Sequence, residues 1–482
     1  MRPLEILLSM VNGLSLLALA APALLALRRA HHWPLLAPLI AVAQVLIEGA
    51  RWQLLPAYAL SAALGLVCLL RQRRSGGAAR LKRLPRFGIG LGLLGLAVSV
   101  AVPVAVPVFR LPEPTGHYAI GTTTYHWVDT RRAEMFTADP ADRREVMVQI
   151  WYPAEETGLA ERAPYVSDAR TLRSIATLMQ LPSFAFAHFE YVETHAIPSA
   201  PVARAESAYP VLVFSHGRAG FRQHNTHQVE DLASRGYVVA AIDHTYAASG
   251  VVFPDGRFAA FDPRMFDPAH PGHPAFLDVA IPYLAQDVVF VLNQLAAVND
   301  ADPTGVLTDR LDLERTGIFG ASLGGAVAAE ACRTEPRLRA CLMMDVFMPA
   351  DVVASGLQQP AMWISRDAAT MEDEGWPQID IDETQSTMRA VFATLPADGY
   401  MVLVPGMFHA DIADAPLYSP LMAALGISGR IGPRRITTII RAYSSGFFDR
   451  HLRGRDVALL DGPADEFPEA RLEIHRRRDF VR

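Results

Sequence analysis

The sequence predicts an α/β fold, a doubly wound and mostly parallel sheet, preceded by an all-α transmembrane region. Three observations lead to this prediction. Long uncharged apolar runs dominate the first 110 residues, and beyond them short apolar strands alternate with helical segments. A Gly-x-Ser-x-Gly motif separates one of those strands from a helix. The predicted boundaries are a transmembrane region of about four helices at 1–110 and a globular domain at 111–482.

Composition agrees with two units, since 482 residues exceed one ordinary domain and 51% of them are hydrophobic. The net charge of −6 gives no reason to expect a nucleic-acid partner. The three cysteines show no metal-type spacing with histidines, so we expect no metal and no cofactor. Cys332 and Cys341 could pair in an oxidising compartment. The favoured interpretation is that they are two small buried core residues.

Four apolar runs in the first part of the chain are candidates for membrane spans. Residues 6–27 and 87–109 carry no charge and are each long enough to cross a hydrocarbon core of about 30 Å. The shorter runs 33–47 and 54–70 are expected to form a helical pair. A cleaved signal peptide would account only for the first run, so four transmembrane helices are predicted.

Basic residues predict the orientation of these helices. They crowd the loop before the last span and also occur in the first loop: Arg71, Arg73, Arg74, Arg80, Lys82, Arg83 and Arg86, then Arg28 and Arg29. Positively charged loops stay in the cytoplasm. Both loops are cytoplasmic only if the N-terminus is outside. The protein is therefore expected to be membrane-embedded, with its globular domain on the periplasmic or extracellular side.

The sequence of the globular part predicts strands that alternate with helices. Strands are predicted at 146–152, 211–214, 238–242, 316–319, 342–344, 362–365 and 401–404, and helices at 223–235, 280–297 and 434–453. Several strands are continuously apolar, which is typical of parallel strands covered on both faces.

The Gly-x-Ser-x-Gly motif comprises Gly320, Ser322 and Gly324, between a predicted strand and a predicted helix. In this context it is a nucleophile elbow, a sharp turn that lifts the serine hydroxyl above the sheet. The motif predicts Ser322 as the nucleophile and the α/β-hydrolase fold for the domain.

A serine nucleophile needs a base and an acid, which follow it in the order Asp or Glu, then His. His409 lies just after the predicted strand 401–404 and is the predicted base. Asp345 and Asp367 each follow a strand and compete for the acid. Asp345 is favoured because a carboxylate in apolar sequence needs a partner, which the histidine would supply.

An oxyanion hole would complete the site. Its expected donors are the backbone N–H groups of Leu323, next to the nucleophile, and Arg218, in the turn after strand 211–214. The alternative for that turn is a simple strand ending. His216, Gly217 and His244 border the site in this topology and are candidates for substrate contact. A structural hydrogen bond is the alternative for His244.

Several stretches resemble the plasma-type platelet-activating-factor acetylhydrolases. They are 213–217 with Phe221 and Arg222, 231–241, the elbow, 337–339 leading to 345–349, and 406–409 followed by Asp414. The resemblance places the family's catalytic aspartate and histidine on Asp345 and His409. It implies a calcium-independent serine esterase that cleaves short or oxidised acyl chains from phospholipids.

Three features depart from that family. Ala321 stands where the family commonly has histidine, and the secreted members lack the membrane part. Residues 167–199, rich in aromatic side chains, do not match clearly and are interpreted either as a lid or acyl-pocket wall or as extra core packing.

Together these patterns predict a membrane-anchored carboxylic ester hydrolase with an ester or lipid substrate, acting through an acyl-enzyme. The alternatives are a serine peptidase of the same fold and a non-catalytic membrane receptor or scaffold.

Overall fold

The computed structural model describes residues 1–21, 30–74, 84–158, 160–265 and 273–477. The chain divides into two compact units. The helical unit comprises Met1–Phe109 with the short segments Ala187–Tyr191 and Tyr418–Leu421. The α/β unit comprises Arg110–Phe186, Val192–Leu417 and Met422–Arg482.

The helical unit contains four α-helices in its described part: α1 Pro3–Ala20, α2 Leu36–Glu48, α3 Leu55–Arg74 and α4 Arg86–Ala105. Small polar side chains connect α1 to α3. The Ser61 hydroxyl donates to Asn12 Oδ1 at 2.8 Å, and the Asn12 amide donates to the Ala57 carbonyl at 3.2 Å. Such interhelical hydrogen bonds stabilise helices whose surroundings are apolar.

Four helical stretches in the described part are long and apolar enough to cross a membrane: Pro3–Ala20, Trp52–Arg73, Arg86–Ala105 and Phe276–Asp300. The first three correspond to the first, third and fourth predicted spans. The second predicted span, 33–47, falls in a shorter apolar helical stretch, Trp33–Glu48, which includes α2, and stays a prediction. Residues 22–27, Arg28, Arg29, Arg80, Lys82 and Arg83 lie outside the described residues.

The stretch Phe276–Asp300 belongs to α7 (His273–Asp300), a helix of the α/β unit. Its buried apolar side chains, including Leu284, Val288 and Leu295, lie in the main core of that unit. Burial of this face explains its high hydropathy, so composition alone does not make it a membrane span.

A ten-stranded sheet organises the α/β unit, in the order β12-β11-β10-β9-β8-β4-β5-β2-β1-β3. The strands are β1 Ala119–Ala133, β2 Arg143–Ala154, β3 Ala196–Pro198, β4 Tyr209–Ser215, β5 Val238–Asp243, β8 Leu311–Ala321, β9 Leu338–Met344, β10 Ala361–Ser365, β11 Gly399–Leu403 and β12 Arg471–His475; β6 Gly250–Val252 and β7 Phe258–Ala260 form a separate hairpin. The six neighbouring strands from β11 to β5 are parallel.

Helices cover both faces of this sheet. The remaining ones are α5 Ala169–Leu178, α6 Thr226–Ser234, α8 Leu323–Thr334, α9 Ala350–Ser355, α10 Ala368–Glu374, α11 Gln378–Thr394 and α12 Pro433–Arg453. Val211 and Val213 of β4 pack in the core that includes α7, α8 and α11, whereas Leu212 and Phe214 pack in the core that includes α6 and α12. This alternation confirms the predicted doubly wound sheet. The carboxyl ends of its parallel strands meet at one edge, where ligands bind in open α/β sheets.

Cys332, in α8, and Cys341, in β9, form a disulfide. The expectation that they are only core residues is therefore wrong, although both are buried as expected. The turn from α8 into β9 brings their Cα atoms to 6.5 Å, within the range that a disulfide bridges.

Residues 167–199 contain α5, a short 3₁₀ helix at Ala187–Tyr191 and β3. Phe184 is 52% exposed and Phe189 is buried. Core packing therefore accounts for only part of this segment, and its role as a lid stays a prediction.

Candidate active site

Ser322 lies in the sharp turn between β8 and α8. Its backbone has φ 54° and ψ −127°, a conformation that residues other than glycine rarely adopt. The flanking glycines allow the turn. A Cβ at Gly320 would lie 2.0 Å from the Gly324 carbonyl oxygen, and one at Gly324 would lie 2.0 Å from that of Ser215. Neither position has room for a side chain.

His409 connects Ser322 to Asp345. Its Nε2 lies 3.0 Å from Ser322 Oγ, and its Nδ1 lies 2.6 Å from Asp345 Oδ2. An ionised carboxylate only accepts hydrogen bonds, so Nδ1 carries the proton and Nε2 is available to accept the serine hydroxyl. The structure thus brings together the three residues that the sequence predicted as nucleophile, base and acid.

Asp345 is the first residue after β9 and is buried. The Ser365 hydroxyl donates to its Oδ1 at 2.9 Å, and Arg366 Nε lies 3.2 Å from its Oδ2. Burial alone would raise the pKa of Asp345. The hydrogen bond from His409 and the charge of Arg366 outweigh burial, and the pKa lies below its usual value. The carboxylate therefore stays ionised beside the imidazole.

Asp367, the alternative acid, has a different position. It is the N-cap of α10, where its carboxylate accepts from the Thr370 backbone N–H at 3.1 Å and from the Thr370 hydroxyl at 2.6 Å. These contacts are those of a helix cap.

Three residues around His409 were not predicted from the sequence. Arg366 is completely buried, forms an ion pair with Glu374 and lies 4.5 Å from the centre of the Trp376 ring. The Glu374 carboxylate accepts the His409 backbone N–H at 3.1 Å. The Trp376 ring is 5.2 Å from the His409 ring. The only signal in the sequence is that Arg366 directly follows β10.

The predicted oxyanion donors flank Ser322. Leu323 is the first residue of α8, where backbone N–H groups have no partner within the helix. Gly217 lies against the nucleophile, since a Cβ there would be 3.2 Å from Ser322 Cβ. The Arg218 side chain donates to the Met265 carbonyl at 2.9 Å, so its guanidinium is engaged on the protein itself.

His216 and His244 do not fit the expectation of substrate contact. Both are buried. His244 Nδ1 lies 2.8 Å from Asp287 Oδ2, and its Nε2 lies 2.9 Å from Ser215 Oγ. His216 Nδ1 lies 2.7 Å from the Gly217 carbonyl oxygen, and its Nε2 accepts the His244 backbone N–H at 3.2 Å. All four ring nitrogens have protein partners, so structural hydrogen bonds describe both residues better.

Among the described residues, no group of three or more His, Cys, Asp or Glu side chains could hold a metal ion. The chemistry that these residues offer is that of a hydroxyl nucleophile with an imidazole base.

Comparisons with known proteins point to esterases. Residues 105–255 match the family model of platelet-activating factor acetylhydrolase, isoform II. The platelet-activating factor acetylhydrolase of Gallus gallus is 20% identical over 74% of this chain and 87% of its own length. A probable 1-alkyl-2-acetylglycerophosphocholine esterase of Arthroderma benhamiae is 23% identical over 78% and 96%. The solved ferulic acid esterase of Streptomyces cinnamoneus is 30% identical, with a TM-score of 0.62 over 77% of this chain and all of its own.

The sheet and these similarities define an α/β-hydrolase esterase. Within that class, the chain is similar to the platelet-activating factor acetylhydrolases, whose family model matches residues 105–255. It is accordingly an ester hydrolase.

Proposed function

We propose that the protein is a membrane-anchored serine esterase that removes short acyl chains from phospholipids, with Ser322, His409 and Asp345 as its catalytic triad. The observation that carries this proposal is the continuous chain of hydrogen bonds at 3.0 Å and 2.6 Å from Ser322 through His409 to Asp345. A strained elbow presents the hydroxyl of Ser322, as nucleophilic catalysis on this fold requires.

In this mechanism Ser322 Oγ attacks the ester carbonyl while His409 Nε2 takes its proton. The negative charge of the tetrahedral intermediate falls between the N–H groups of Leu323 and Arg218, each worth about 3 kcal/mol. His409 then protonates the leaving alcohol, and the acyl-enzyme forms. Water, activated by the same imidazole, releases the acid and restores Ser322. Asp345 stabilises the imidazolium at both steps.

The substrate class is inferred from the relatives. Two of them are named for hydrolysis of a short acyl ester of an ether phospholipid. The apolar helices α1, α3 and α4 would hold the enzyme at a membrane surface, where such lipids reside. The solved neighbour is named for a phenolic ester, which makes aromatic-acid esters the competing substrate class. A peptidase is less well supported, because these relatives are named as esterases or acetylhydrolases.

A substrate panel tests the proposal on the detergent-solubilised full-length protein. It contains p-nitrophenyl esters from acetate to palmitate, phospholipids with sn-2 acetyl or sn-2 palmitoyl chains, and methyl ferulate. We expect the highest kcat/KM on acetate and on the sn-2 acetyl lipid, and labelling of Ser322 by a fluorophosphonate. Preference for palmitoyl chains or for methyl ferulate would overturn the substrate assignment. An inactive protein that resists the probe would support a scaffold.

We further propose that the α/β unit lies on the extracytoplasmic side of the membrane. Two independent features support this location. Disulfides such as Cys332–Cys341 persist in oxidising compartments. Arg71, Arg73, Arg74 and Arg86 are basic residues at the facing ends of α3 and α4, and basic segments remain in the cytoplasm.

Thiol counting checks the location in cells. Whole cells are quenched with acid, denatured and treated with a maleimide–polyethylene glycol reagent. Without reduction we expect one adduct, on Cys68, because Cys332 and Cys341 are bonded. After reduction we expect three. Three adducts without reduction would show that the pair is reduced in the cell and would contradict an oxidising location. A Cys68→Ser variant serves as the control and should give no adduct before reduction.

A further inference from the structure

The α/β unit contains a second Ser–His–Asp chain, in its interior. The hydroxyl of Ser215, the last residue of β4, lies 2.9 Å from Nε2 of His244, the residue after β5. His244 Nδ1 in turn lies 2.8 Å from Asp287 on α7. Ser215 is 0% exposed, His244 1% and Asp287 0%. No ester reaches this serine hydroxyl, so the chain does not act as a nucleophilic triad.

Two arginines hold Asp287, the acidic end of this hydrogen-bonded chain. Arg144 of β2 donates to both carboxylate oxygens of Asp287, at 2.9 Å and 2.6 Å, and Arg132 donates to one of them at 2.6 Å. Burial would raise the pKa of Asp287, but the charge of Arg144 holds that pKa well below its usual value. Arg144 also donates to the Thr245 carbonyl at 2.9 Å, which anchors the backbone beyond His244. A buried ion pair with such bidentate geometry has little freedom to move.

The His244 end of this hydrogen-bonded chain contacts the loop beside Ser322. The His244 backbone N–H donates to His216 Nε2 at 3.2 Å, so this nitrogen carries no proton. Burial, and to a smaller extent the neighbouring His244, lower the pKa of His216 to about 3. The ring is therefore neutral with its proton on Nδ1, which donates to the Gly217 carbonyl at 2.7 Å.

That hydrogen bond orients one peptide group. The Gly217 carbonyl oxygen also accepts the Gly220 N–H, at 2.8 Å, so its direction is fixed by two donors. In a trans peptide the carbonyl and the following N–H point in opposite directions. Fixing the Gly217 oxygen therefore fixes the direction of the Arg218 N–H.

We propose that the chain Arg144–Asp287–His244–Ser215, acting through His216, is a positioning device that holds the Arg218 N–H toward the oxyanion. Ser215, His216 and His244 are then positioning residues. The inference rests on the proposed function, because it assigns a task to residues that support the site of Ser322. It also explains why two histidines border the site without reaching a substrate.

The test compares His216→Leu, His216→Asn and Ser215→Ala with the wild-type enzyme on p-nitrophenyl acetate. Leucine removes the donor to Gly217, whereas the asparagine amide places a donor near the position of Nδ1. Active sites are counted with a fluorophosphonate, and kcat is expressed per counted site. KM and the inhibition constant of a trifluoromethyl ketone, which forms a tetrahedral adduct, are measured in parallel.

We expect His216→Leu to lower kcat per site by roughly 10- to 100-fold, less than the loss of an oxyanion donor because the Arg218 N–H is misdirected and not removed, with KM changed less than about threefold. The inhibition constant should rise in proportion, and His216→Asn should restore most of kcat. Ser215→Ala removes one hydroxyl and should lower kcat by about five-fold while the protein stays folded. Unchanged kcat per site in both His216→Leu and Ser215→Ala, with fewer active sites or a lower melting temperature, would show a merely structural role and overturn the proposal.

In the same assay, Ser322→Ala distinguishes failure of the proposed function from failure of the positioning role. If that variant keeps wild-type activity, the proposed function itself fails. If it is inactive while the His216 and Ser215 variants keep full kcat per site, only the positioning role fails.

Discussion

Replacement of Ser322 by alanine is expected to lower kcat on p-nitrophenyl acetate by about 10⁴-fold or more. The hydroxyl is the only protein group in the proposed mechanism that forms a covalent bond to the acyl carbon. Its hydrogen bond to His409 Nε2, at 3.0 Å, would be lost with little effect on the fold, since alanine fits the same volume. Residual activity would come from the oxyanion donors and from binding alone. The measurement is kcat on purified protein, together with loss of fluorophosphonate labelling.

Ser207→Ala is the matched control, because this serine is exposed and lies outside the site. It should keep full activity and full labelling. If Ser322→Ala and Ser207→Ala hydrolyse the ester equally well, Ser322 is not the nucleophile. Labelling that persists in Ser322→Ala would place the reactive serine elsewhere in the chain.

The position of Ser322 was predictable from the sequence because the geometry of the elbow is set locally. Gly320 and Gly324 leave room for the sharp turn at Ser322, and the strand before it and the helix after it are visible as apolar patterns. Asp345 and His409 were predictable for a related reason. Each follows a strand of the parallel sheet, and parallel strands deliver their carboxyl ends to one edge.

Residues that act through long-range contacts gave no comparable signal. Asp287 lies in the middle of α7, and only the packing of α7 against the sheet brings it to Arg144 and His244. His244 looked like a site residue because it follows β5, yet its ring lies in the core. Position after a strand therefore predicts where a residue's backbone lies, but the direction of its side chain depends on partners from distant elements.

Apolar composition was likewise an incomplete guide to membrane spans. α7 is apolar enough to resemble a membrane span, although less so than α1, α3 and α4, because one face packs in the core of the α/β unit. α2 is apolar but short. The core in which a helix packs distinguishes α7 from the N-terminal helices, and the hydropathy of the sequence does not report it.

Replacement of Asp345 by asparagine is expected to lower kcat by about 10³- to 10⁴-fold with a smaller change in KM, the range that a wrong histidine tautomer produces in a triad. An asparagine amide would donate to His409 Nδ1, which now donates to Asp345 Oδ2 at 2.6 Å. The ring proton would move to Nε2, and that nitrogen could no longer accept the proton of Ser322. The measurement is kcat and KM on p-nitrophenyl acetate, with a melting curve to confirm folding.

Arg366 makes the loss more severe than a tautomer change alone. Its guanidinium lies 3.2 Å from Asp345 Oδ2 and would face a neutral amide in the variant, so the imidazolium that forms during catalysis would have no carboxylate between it and this cation. Asp367→Asn is the matched control, since asparagine also caps a helix and should preserve both α10 and activity. Full activity in Asp345→Asn combined with a large loss in Asp367→Asn would transfer the acid role to Asp367. Because the Asp345 carboxylate is buried between a permanent cation and an imidazole, in the proposed mechanism it is the carboxylate that stabilises the imidazolium at the moment that Ser322 is deprotonated.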